Sequence, residues 1–233
     1  MSDSEENNGK QAKDLADAAE TSVEAVKNLA RFLDGAFGNI VSNSVGLLSD
    51  KLAYYRLAKA IALQETVDAK LHERGVKKKY IPVKFGLPII ENATVEEDNV
   101  LQEKWVNLLT NALDATYERP MRRNFSTILA DLEPIDAKIL DMTVKEYLSF
   151  SGDKSAVLFE LKKLINITKL SPAVIENAVR NLMRLGLVKP GVISGAAKIG
   201  DHSISSYKDT EMFGLTGLGV DFFYAVNDPI SQT

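Results

Sequence analysis

The sequence predicts a mostly α protein in two parts, a helical N-terminal domain followed by a winged helix-turn-helix-like α+β domain. Three observations carry that expectation. Apolar residues recur at helical spacing through most of the first 150 positions. A proline-started helix then follows closely on another amphipathic helix near residue 170. Beyond it, two short apolar runs flank a loop of Gly, Ser and Asp, and "LTGLG" opens a last helix.

Taken in order, residues 1–11 are polar and acidic and read as a tail. Over 13–33, Leu15, Ala19, Val23, Val26, Ala30 and Leu33 keep a helical period, and Gly35 and Gly38 interrupt it. A second helix is expected over 45–74, through Leu48, Leu52, Tyr55, Ile61 and Val67, with Gly75 as its stop and His72 and Arg74 at its negative end. The prolines and glycine of "VKKKYIPVKFGLP" mark a connector or short extended segment.

The acidic run Glu91, Glu96, Glu97, Asp98 and Glu103 precedes and enters a helix holding Trp105, the chain's single tryptophan. Thr94 and Glu97 have the spacing of a capping box, and first-turn carboxylates suit the positive end of a helix. Leu101, Trp105, Leu108, Leu109, Ala112 and Leu113 form its core stripe. The run is therefore read as a helix start and not as a metal cage or catalytic pair.

Past a turn at "DATYERP", Asn124 caps a short helix with Phe125, Ile128, Leu129 and Leu132. Pro134 starts the next, lined by Ile135, Ile139, Met142 and Leu148. A helix over 154–166 uses Val157, Leu158, Leu161, Leu164 and Ile165. Ser171 and Pro172 begin another, which turns Ile175, Ala178, Val179, Leu182 and Met183 inward and ends at Gly186. "LVKPGVIS" and "EMFGLT" read as strands around a loop over 194–210, Thr216 caps the final helix, and the glycines after it suit close approach of that helix to the strands. The domains so delimited are 12–132 (helical) and 133–228 (winged-helix-like), with a tail at 229–233.

Composition removes several function classes. With 28 Lys plus Arg against 32 Asp plus Glu, the net charge of −4 does not suit a wholesale nucleic-acid coat. No cysteine is present and histidine is limited to His72 and His202, so thiolate and two-His metal spacings are missing. GxSxG, Walker A and HExxH motifs are absent as well. The expectation is a cytoplasmic, non-enzymatic protein with no signal peptide, cofactor or metal. The glycine-spaced stretch 35–49 is too short to span a bilayer and reads as a loop or kinked helix pair.

Residues from about 45 to 140 resemble the Abi-alpha (abortive infection alpha) family. The resemblance is carried by "PIIENATVEEDNVLQEKWVNLLTNALD", by "FSTILADLEPIDAKIL", and by the lead-in "VGLLSDKLAYYRLAKAI" with Arg56. It implies a part in bacterial abortive infection, in which an infected cell stops growing before phage multiply. It implies no catalytic residues. "MRRN" stands where the resemblance calls for a His-Pro pair, so no role for that turn carries over.

The candidate working surface is basic. Residues 154–189 hold Lys154, Lys162, Lys163, Lys169, Arg180, Arg184 and Lys189 against Glu160 and Glu176. Arg180 and Arg184 lie four apart on one helical face, Lys169 precedes that helix, and Lys198 and Lys208 sit in the expected wing. Such a set contacts DNA phosphates or a protein partner. Glu176 and Asn177 at the helix start favour the protein, such as a phage-derived component. The leading expectation is an antiphage protein acting by macromolecular recognition. The alternative is a winged-helix DNA-binding transcription regulator whose helical domain dimerises or senses a ligand. The basic run Arg74, Lys77, Lys78, Lys79 and Lys84, with Tyr80, reads as a solvated loop.

Overall fold

A computed structural model describes residues 23–38, 51–152, 157–191 and 212–229, the side chains of 51–54 excepted. The chain is mostly helical, with one small antiparallel sheet among the described residues. It divides into two compact units. One takes the described residues up to Glu96 together with Leu109–Tyr117, and the other takes Glu97–Leu108 together with those from Glu118 onward.

In the first unit, α1 occupies 23–37 and buries Leu29, Phe32, Ala36 and Phe37. The expected stripe was rotated from this face, since Val23 is exposed and Ala30 and Leu33 are only half-buried. Aromatic residues at 32 and 37 outweigh the smaller residues that set the apparent period. Gly35 is carried inside the helix, and Gly38 ends it at φ 75°, its N–H donating to Asp34 O. Helix α2 spans Lys51–Glu73 and buries Leu63, Val67 and Leu71, one per turn, while Tyr55 is exposed. It stops as expected at Gly75, φ 64°. The Val76 N–H reaches Leu71 O and the Gly75 N–H reaches His72 O, the paired bonds of a Schellman ending.

The expected connector is only partly one. Residues 77–81 are extended, with Lys78 bridged to Asp114 and the Ile81 N–H donating to Ala36 O. Helix α3 then runs Val83–Ala93 despite Pro88 in its interior. Pro82 stands at the N-cap, where its fixed φ of −61° costs nothing. Gly86 is a packing glycine, because a Cβ there would run into the Phe37 ring and Ile81.

Helix α4, Asn99–Leu113, is where the unit division falls. Its start corrects the capping expectation. Thr94 closes α3, its hydroxyl donating to Glu91 O, and Asp98 caps α4 by accepting from the Val100 and Leu101 amides at 2.8 and 3.1 Å. Every position from 104 to 114 is buried. The polar residues Lys104, Asn107, Thr110 and Asn111 thus lie inside, on what the sequence marks as an outer face.

In the second unit, α5 (Phe125–Ala130) follows Asn124, which holds the N-cap position without a side-chain cap bond. Helix α6 (Pro134–Ser149) begins with a capping box of Glu133 and Asp136, and it buries Ala137, Ile139, Leu140 and Val144. Ile135 and Met142, expected in the core, are half-exposed. The predicted helix over 154–166 is shorter. Strand β1 (Phe159–Glu160) precedes α7 (Leu161–Thr168), because the run Val157, Leu158, Phe159 is too brief for a helical period to be told from a strand. Helix α8 (Pro172–Arg184) starts at Ser171 as expected, although the Ser171 side chain makes no cap bond.

Strands β2 (Val188–Pro190) and β3 (Met212–Leu215) complete a sheet of order β1-β3-β2. Phe159 pairs with Phe213, and Val188 with Leu215. Thr216 caps α9 (Gly217–Ala225), accepting from the Gly219 amide at 2.9 Å. Gly219 supplies the anticipated close approach, since a Cβ there would collide with the Leu187 carbonyl. Phe125 packs edge-on to Phe222, 5.5 Å between centroids.

Candidate recognition surface

Amphipathicity places the α7–α8 pair. Leu164 of α7 and Ile175, Ala178, Val179 and Leu182 of α8 are buried, which turns the remaining side chains outward. The turn between the helices depends on Lys169, which adopts the left-handed conformation at φ 59° and closes α7 through its N–H to Ile165 O. Its side chain is exposed.

The described members of the predicted basic set have different surroundings. Arg180 is exposed. Arg184 is held: its guanidinium donates to the Asp131 carboxylate at 3.2 Å and to Asn181 Oδ1 at 2.9 Å. Asn181 in turn donates to Asp131 O and, at 2.6 Å, to the buried Asp136 carboxylate. This cluster links α8 to the α5–α6 turn, with the Arg184 side chain still 59% exposed. Lys189 lines a different feature, a small cavity with Tyr147, Val157, Leu215, Thr216 and Val220. Lys198 and Lys208 lie outside the described residues, as does most of 35–49.

What the sequence reading missed at this surface is apolar. Ile167, Leu170 and Val174 are exposed by 54, 36 and 40% around the α7–α8 turn. Their signal was present in the sequence, since Ile167 and Val174 fall outside the buried stripes of α7 and α8 and Leu170 lies in the turn between them. Glu176 and Asn177 are exposed beside them.

Other candidates resolve into structure. In the basic run, Arg74 pairs with Asp114 at 3.3 Å, Lys78 pairs with Asp68 and lies over the Phe32 ring, and Lys79 Nζ donates to Tyr117 O. Burial would raise the Asp114 carboxyl. The hydrogen bonds from the Thr116 hydroxyl and amide and from the Arg74 guanidinium outweigh it, holding the group below its ordinary value. Arg119 stacks on Tyr224 and Arg122 pairs with Asp221, so both belong to the contact with α9.

A buried ion pair went unanticipated. Lys104 Nζ donates to the two Asp141 oxygens at 3.0 and 2.8 Å and to Asn227 Oδ1 at 3.2 Å. It ties the first half of α4 to α6 and to the segment after α9. Among the described residues, no group of three or more His, Asp or Glu side chains is placed to hold a metal, and no helix is long and apolar enough to cross a membrane.

Set against known proteins, residues 56–226, well over half of the chain, match the family model described as abortive infection alpha. The match runs beyond the region that carries the resemblance in sequence and includes the α7–α8 surface. No curated protein and no solved structure matches the chain.

Proposed function

The chain belongs to the abortive infection alpha family, and from that premise we propose that it is a non-enzymatic antiphage protein which recognises a protein partner through the α7–α8 face. The observation that carries the proposal is the exposure of Ile167, Leu170 and Val174 around the α7–α8 turn. Exposed apolar side chains suit the desolvated centre of a protein interface, and Lys169 and Arg180 are exposed on the same pair of helices and turn. A DNA-reading helix needs cations and short polar groups at its start, whereas α8 begins with Pro172, Ala173, Val174 and Glu176.

The fold supports the reading in outline. The helices α6, α7 and α8 beside a three-stranded antiparallel sheet of order β1-β3-β2 are compatible with the winged-helix reading, a frame that serves protein docking as readily as DNA binding. Within the acidic run, Asp98 serves as a helix cap, which fits the reading of that run as a helix start.

The test is phage plating and growth of infected cultures with the full chain, an Ile167→Asp/Val174→Asp double variant and Arg180→Ala. Protection by the wild type, lost in the first variant and retained in the second, is the expected result. Protection lost only with Arg180→Ala, alongside tight DNA binding that weakens steeply with salt, would favour the regulator instead. Absence of protection against a broad phage panel would sink the proposal. Arg184 is left intact in this design because its loss would loosen the fastening to Asp131.

A further inference from the structure

The outer face of α6 carries an inference that does not rest on the α7–α8 reading. We propose that the groove formed by the outer face of α6 and the first turn of α4 receives an acidic amphipathic helix of a partner protein. Pro134, Ile135, Lys138, Asp141, Met142 and Lys145 of α6, with Val100 of α4, line an open groove of about 410 Å³. Its floor is apolar: Val100 is 46% exposed, and Ile135 and Met142 are partly exposed.

The positions 135, 138, 142 and 145 recur at three and four residues, so they form one continuous face of α6. On a helix whose inner face is filled by Ile139, Leu140 and Val144, a second apolar strip is not needed for folding. An exposed strip of this kind, shaped as a groove, is the form that takes a helix.

Charge selects the occupant. Lys138 and Lys145 are exposed, and neither has an ion-pair partner among the described residues. Of the seven lining residues the one carboxylate is Asp141, which accepts from Lys104 and Asn227 and so presents little uncompensated charge to the groove. The rim is therefore positive over an apolar floor. Lys138 and Lys145 stand two helical turns apart, on the order of 10 Å along the axis. The matching ligand is a helix with an apolar stripe and two carboxylates a similar distance apart.

Isotope-labelled methyl groups of Met142 and Ile135 in the full chain supply the readout. The probe is a synthetic amphipathic helix of about five turns, carrying a leucine stripe and two glutamates seven residues apart, and its comparator has lysines in their place. Saturable methyl shifts with the glutamate peptide are expected, and the lysine peptide should give none. Lys138→Glu/Lys145→Glu should weaken the glutamate peptide by about tenfold and let the lysine peptide bind. Equal binding of both peptides, an absence of shifts at Met142 and Ile135, or affinity unchanged by the charge reversal would each overturn the proposal. Anionic vesicles shifting these methyls when the glutamate peptide does not would overturn it too. Because the methyl readout uses the unsubstituted chain, a variant that failed to fold would not rescue the idea.

Discussion

Replacing Asp141 by alanine should destabilise the protein more than replacing its partner Lys104 by methionine. The Lys104 side chain is 6% exposed and that of Asp141 22%. Without Asp141 the buried ammonium keeps only Asn227 Oδ1, 3.2 Å away. Breaking a buried pair in that way costs about 3–5 kcal/mol, and the groove beside Asp141 admits water, which puts the value near about 3 kcal/mol. Without the Lys104 charge, Asp141 keeps an Asn227 amide at 3.3 Å and its groove-side solvation, so Lys104→Met should cost about 1–2 kcal/mol. The double variant should be less destabilised than the two costs added, with a coupling of about 2 kcal/mol. Urea unfolding of the full chain, followed by the emission of the buried Trp105, measures all four corners of the cycle. Lys104→Met costing more than Asp141→Ala, or a coupling under about 0.5 kcal/mol, would refute the argument that burial sets the asymmetry.

Two further outcomes follow from the caps and charges. Asp98→Ala should cost about 1 kcal/mol in urea unfolding because two α4 amides lose their acceptor. Glu97→Ala should stay within about 0.5 kcal/mol, and the reverse ranking would restore the Thr94 capping box. For Asp114, the folded carboxyl titrates below its ordinary 3.8, so the ionised form stabilises the fold. That contribution is present above the ordinary value and disappears as pH falls through the lower folded one. Asp114→Asn should accordingly cost most at neutral pH, and its difference from wild type should shrink below about pH 4. A difference that did not change with pH would separate Asp114 from acid stability.

Local signals were the legible ones. Gly75 after α2, Pro134 and Pro172 at helix starts, Thr216 before α9 and the close approach at Gly219 each follow from backbone chemistry within a few residues. Failures came where tertiary packing overrode a local sign. Pro82, Gly86 and Pro88 read as breakers, yet they start, pack and ride within α3. Ile135 and Met142 keep a helical period and were assigned inward, because period alone does not say which of two apolar strips faces the core. The α4 polar residues fall outside its apolar stripe and yet are buried; for Asn107, Thr110 and Asn111 the absence of charge from "WVNLLTNAL" was the one sign of it. At the recognition surface, the sequence could rank Arg184 beside Arg180, but it could not bring Asp131 to it across more than fifty residues.

The interleaving of the two units through α4 bears on how the chain leaves the ribosome. Helices α2 and α3 are finished by Ala93, but the strand-like pairing of 77–79 needs Leu113, Asp114 and Ala115, and Arg74 needs Asp114. The roughly twenty residues in between take on the order of a few seconds to synthesise. During that time Arg74 and the edge at Lys77–Lys79 wait for their partners while the first half of α4, destined for the other unit, is already emerging. A nascent protein truncated before Tyr117 lacks residues of both units. Maturation is thus gated by the arrival of one short segment.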